Sequence, residues 1–128
     1  MKYYFSKELN ASFDEAKQKV LAALKQEGFG VISEIDIQQK LKEKLGESMK
    51  KYVILGACSP QHALKALQID PHLGVLLPCN VVVREVEDNL IEVSAVNPLV
   101  SMNVVENDKL SEIADHVNNK LSWVIDNL

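Results

Sequence analysis

Leu110, Ile113, Ala114, Val117, Leu121, Val124, Ile125 and Leu128 fall on one stripe at helical spacing, the clearest periodicity in the chain. A long helix with one apolar face has to bury it, and here it must pack on a sheet. Sheet material lies upstream. Residues 2–8 alternate Tyr3 and Phe5 with polar positions, the period of a half-buried strand, and Phe29 to Ile37 alternate in the same way. Tyr52 to Cys58 (YVILGAC) is apolar on both faces, which predicts a central strand. Leu73 to Val86 and Leu90 to Val96 flank Glu87-Asp88-Asn89 as the two arms of an antiparallel hairpin, and Pro78 bars the upstream half of the first arm from a regular ladder.

Helix signals separate these strands. Ser12 and Glu15 form a capping box ahead of Phe13, Ala16, Val20, Ala23 and Leu24, and the pattern stops at Gly28. Asp36 reads as an N-cap for a short helix with Ile37, Leu41 and Leu45 on one line and Gly46 at its end. Ser59-Pro60 opens a third helix whose Ala63, Leu64, Ala66 and Leu67 predict burial. Asn97-Pro98 breaks the last strand, and a polar-interrupted loop runs to about Asn107.

The chain has 128 residues, 47% hydrophobic and 25% charged, which fits one domain spanning 1–128 with no linker or repeat. Size scaling gives such a chain a folded surface of roughly 6,800 Å². Fourteen basic against 18 acidic residues leave a net charge of −4, which speaks against nucleic acid and anionic membrane as partners. The segment MKYYFSKELN has no apolar core of a signal peptide, and the longest stretch without formal charge, Pro71 to Val83, is too short to span a bilayer. The expected location is the cytoplasm, where Cys58 and Cys79 stay reduced.

Three motifs in this order, GFGVISEID (Gly28 to Asp36), YVILGACSP (Tyr52 to Pro60) and GVLLPCNVVV (Gly74 to Val83), resemble the bacterial and archaeal family called domain of unknown function 302, over essentially the whole chain. The resemblance implies an α+β fold of the TATA-binding-protein-like type, β-α-β(4)-α. Helices then cover one face of a curved antiparallel sheet, and the short helices after Asp36 and Ser59 are insertions. It also implies a homodimer and brings no established activity. Fold alone does not carry DNA binding, and the acidic balance opposes it.

Candidate chemistry centres on Cys58, which ends a strand just ahead of the Ser59-Pro60 helix start, where backbone N–H groups and the helix dipole favour thiolate. The plainer reading makes it a small buried hydrophobe. Cys79 follows Pro78 and is placed to meet Cys58 at the same end of the sheet, with His62 and Asn80 completing one crevice. Three of these, Cys58, His62 and Cys79, match the ligand count of an open zinc site, but a fourth ligand and any local CxxC or HxxxH anchor are missing. His62 sits near a helix N-terminus, where neutral imidazole is favoured.

Asp36 is a candidate ligand contact, although capping, worth about 1 kcal/mol, is the stronger account. Trp123 lies off the apolar stripe, beside His116, Asn119 and Lys120, and marks a candidate interface. The first reading is therefore a small-molecule or anion-binding module whose crevice uses Cys58, Cys79, Asn80, His62 and the 59–61 amides, with Ile54, Leu55, Leu76 and Leu77 as walls. Its alternatives are a thiol, redox or metal-dependent enzyme built on Cys58, Cys79 and His62, and a homodimeric scaffold. No cofactor is named by any motif.

Overall fold

The computed structural model describes residues 2–128. The elements run β1 (Tyr4–Asn10), α1 (Phe13–Gln26), β2 (Gly30–Asp36), α2 (Ile37–Leu45), β3 (Tyr52–Cys58), α3 (Pro60–Ile69), a 3₁₀ helix (Pro71–Leu76), β4 (Cys79–Glu87), β5 (Leu90–Val96), α4 (Pro98–Ser101) and α5 (Asp108–Asp126). The five strands form one antiparallel sheet in the order β1-β5-β4-β3-β2. The fold is thus α+β with a five-stranded curved sheet and helices on one face, as expected, and the insertions after Asp36 and Ser59 are helical.

Strand alternation sets the layers. Val53, Leu55 and Ala57, Val81 and Val83, and Ile91, Val93 and Ala95 all turn to one face, where they are buried against Ala16, Val20 and Leu24 of α1 and Val117, Leu121, Val124 and Ile125 of α5. The residues between them, among them Tyr52, Ile54, Val82, Arg84, Glu92 and Ser94, form the opposite, uncovered face. Lys7 ties the layers together at one edge: its Nζ donates to the carbonyls of Asp126 and Leu128, so β1 holds the end of α5.

A second, smaller core joins Ala66 of α3, Leu73 of the 3₁₀ helix, Met102 beyond α4, and Leu110 and Ala114 of α5. The first two turns of α5 serve this core and the remainder serves the sheet, which explains a stripe longer than the sheet alone needs.

Local signals set the helix ends as read. Glu15 N–H donates to Ser12 Oγ at 3.2 Å, and Gln39 N–H donates to Asp36 Oδ1 at 2.9 Å. Gly46 adopts the left-handed conformation at φ 69°, which a residue with a Cβ rarely takes.

Three expectations change. The first strand begins at Tyr4, leaving Tyr3 exposed ahead of it. The segment from Leu73 to Leu76 is not strand: Pro71 opens a 3₁₀ helix and Asp70 caps it through His72 N–H at 3.0 Å. In α3 only Ala66 is buried, and Leu64 and Leu67 are exposed, because this helix packs beside the sheet rather than on it. Beyond these three, the stripe of α2 buries nothing, since the helix hangs from the end of the edge strand β2. The whole surface is 7,855 Å², more than size scaling gives.

Candidate functional site

The two cores meet along a seam, and a cavity of about 290 Å³ opens there. Phe29, Ala57, Cys79 and Val117 bound it from the sheet core, and Ala66, Met102 and Ile113 from the smaller one. Ile32 and Leu67 stand exposed at its rim. The volume is at the lower end of ligand pockets, which run from about 300 Å³ upward, and the walls are apolar as such pockets usually are.

Polar atoms reach the cavity from one short segment. Cys58 ends β3 half-buried, Ser59 follows, and His62 stands one turn into α3. Ser59 does not cap α3; its Oγ lies 2.7 Å from His62 Nδ1 instead. That bond leaves Nε2 of His62 as the ring atom free to face a ligand. Burial, followed by the charges of Lys120, His116 and Lys65, holds the His62 pKa below its ordinary 6.5, so the ring is neutral at pH 7.

Cys79 stands opposite Ala57 in the β3–β4 ladder and is therefore one residue away from Cys58 across the strands. Both thiols are free and both line the cavity. They are not equivalent. Burial, and secondarily the neighbouring Cys58, push the Cys79 pKa up to about 11, so this thiol stays protonated at neutral pH.

The model of the family described as domain of unknown function DUF302 matches residues 5–128. The chain belongs to the DUF302 family. Its fold is similar to the crystal structure of an uncharacterized conserved DUF302 protein from Bacillus stearothermophilus, with a TM-score of 0.89, 28% identity and 98% of each chain covered. A search of the curated proteins finds no match for the DUF302 chain.

Of the residues singled out in the sequence for their chemistry, this DUF302 chain brings Cys58, His62 and Cys79 to one cavity and leaves Asn80, Asp36 and Trp123 outside it. Asn80 is the neighbour of Cys79, yet alternation along β4 turns it to the uncovered sheet face. Asp36 caps α2 and lines a separate groove with Glu34, Lys17 and Lys51. Among the expected walls only Leu77 lines the cavity; Leu55 is in the sheet core. Among the described residues no group of three His, Cys, Asp or Glu side chains is arranged to hold a metal ion, so the three-ligand reading of Cys58, His62 and Cys79 is not carried by the geometry. Trp123 is 45% exposed on α5, on the helical side of the molecule.

The sequence missed His116. Its ring centre lies 6.0 Å from that of His62, 54 positions away, and no local pattern in either helix signals the meeting. No helix among the described residues is long and apolar enough to cross a membrane.

Proposed function

We propose that this chain is a binding module that holds a small, mainly apolar molecule in the cavity beside Cys58 and Cys79. The observation that supports this most is the cavity itself: a close-packed interior rarely keeps a void larger than a water molecule, and this one is apolar, open at a rim of Ile32 and Leu67, and furnished with polar atoms at one end only. A redox pair of Cys58 and Cys79 has weaker support, because Cys79 holds its proton and makes a poor partner thiolate at neutral pH. Free thiols agree with a reducing compartment such as the cytoplasm.

The test is a thermal-shift and calorimetric screen of small apolar molecules on the wild type and on Cys58→Leu, whose larger side chain narrows the cavity. A binder that raises Tm in the wild type and loses at least about tenfold in affinity in the variant supports the assignment. Unchanged affinity in Cys58→Leu removes it.

The same reading includes a homodimer, favoured by the uncovered sheet face. Tyr4, Tyr52, Val82 and Val96 line a shallow groove of about 400 Å³ there, and its central charges, Arg84 and Glu92, pair with each other at 2.8 Å. A face whose charges are matched internally does not repel its own copy, whatever the net charge of the chain. Light scattering on Val82→Arg and on Trp123→Ala separates the two candidate interfaces. Loss of dimer in the first variant supports the sheet face, and loss in the second moves the interface to α5.

A further inference from the structure

A second groove adjoins the cavity and shares two residues with it, His62 and Ile113. Its remaining lining is Lys65, Gln68, Ile69, Lys109, Glu112 and His116. The two hollows are therefore one continuous surface that turns from apolar to cationic at His62. Glu112 is the one acidic group lining it, against Lys65 and Lys109, and among the described residues neither lysine makes an ion pair, nor does Lys120 one turn beyond His116. In a chain with four more acidic than basic residues, a groove whose lining carries two lysines against one glutamate beside an apolar cavity is a local inversion of charge.

Resting on the cavity reading above, we infer that the ligand is amphipathic: an apolar chain seated against Ala66, Met102 and Val117, with an anionic head such as a carboxylate at His62, Lys65 and Lys109. The geometry orders the molecule in this way because the deep walls offer no polar partner, whereas the adjoining groove is lined by the His62 ring and by Lys65 and Lys109. His62 registers the field at that end, since after burial it is Lys120, His116 and Lys65 that disfavour its protonation. A carboxylate placed there relieves this repulsion. The size follows from the volume of about 290 Å³: at about 30 Å³ for each water-sized atom, the cavity takes a tail of up to about ten carbons, so an eight-carbon chain fits.

The experiment compares octanoate, octanol and acetate by calorimetry at low and moderate salt, with DTNB labelling of Cys58 as a second readout. Octanoate is expected to bind about tenfold more tightly than octanol, to protect Cys58, and to lose its advantage in Lys65→Gln/Lys109→Gln and at high salt. Acetate, lacking a tail, is expected not to bind measurably. Equal affinity for octanol and octanoate in the wild type overturns the anionic head and leaves the apolar cavity standing. An octanoate advantage that survives the double substitution overturns the assignment of the head to these lysines. Binding of neither molecule, with Cys58 unprotected, overturns the cavity reading and the inference together. Circular dichroism of the variant confirms that it folds.

Discussion

Cys58 and Cys79 lie on neighbouring strands and share one cavity, but Cys58 stands at its edge while Cys79 is buried in its wall. The two sulfurs therefore meet different solvents. Whatever enters the cavity passes the first and is backed by the second.

This difference predicts unequal labelling. At pH 8 Cys58 should react with a maleimide or DTNB, and Cys79 should react at least about a hundredfold more slowly than an ordinary thiol, since a pKa of about 11 against 9.0 cuts its thiolate by that factor. Peptide mapping after timed labelling reads both rates. Equal labelling of the two cysteines would contradict the burial of Cys79.

Stability at alkaline pH follows from the same thiol. The folded pKa is raised, so the folded state keeps a proton that the unfolded chain gives up above pH 9. The stabilisation is whole below pH 9 and is lost as pH climbs towards 11, by an amount of about 2 to 3 kcal/mol. Urea titrations of the wild type and Cys79→Ala across pH 8 to 11 should show a smaller alkaline decline in the variant, set against its cavity cost at neutral pH.

Mild acid acts through His62 with the opposite sign. Its folded pKa is lowered, so below about pH 6.5 the unfolded chain takes up a proton that the folded chain resists, and stability falls as pH drops through that window. Burial is the main cause, and the charges of Lys120, His116 and Lys65 add to it. In His62→Gln, Tm should decline less between pH 7.5 and 5.5 than in the wild type. A bound octanoate should reduce the decline further in the wild type alone.

Gly56 sits in the middle of β3 for want of space. A Cβ added there would lie 2.8 Å from Pro78 Cγ and closer still to Ser33 Oγ. The serine can rotate away; the proline ring cannot. Gly56→Ala should cost about 1 to 3 kcal/mol in urea denaturation, and adding Ser33→Ala should restore only part of it.

Much of the fold was legible. A run apolar on both faces placed β3, a helical stripe placed α5, and Ser12, Asp36 and Gly46 announced helix ends through chemistry confined to a few residues. What failed was judging burial from apolar content. Leu64 and Leu67 make α3 look like a core helix, but whether an apolar side chain is covered depends on where its helix docks, which is a non-local fact. The site divides along the same line. Cys58 and His62 are linked by one strand-to-helix turn and could be read together; Cys79 joined them through the expectation that it reaches the same end of the sheet. Asn80 was misplaced by a single step of strand alternation. Lys65, His116 and Lys120 carry no sequence signal of convergence, because α3 and α5 meet only after both have packed.

The cavity is walled by β2, β3, α3, the segment leading into β4, the residue after α4, and α5, so no contiguous piece of the chain contains it. It comes into being only when Ile113 and Val117 dock. A ligand that occupies it consequently holds shut the joint between two separate cores, and its binding energy is added to the cooperativity of the whole molecule rather than to one loop. Hydrogen exchange should then slow together in α3, α5 and the sheet when the cavity is filled, which makes the ligand a clasp on the protein's lifetime as much as its cargo.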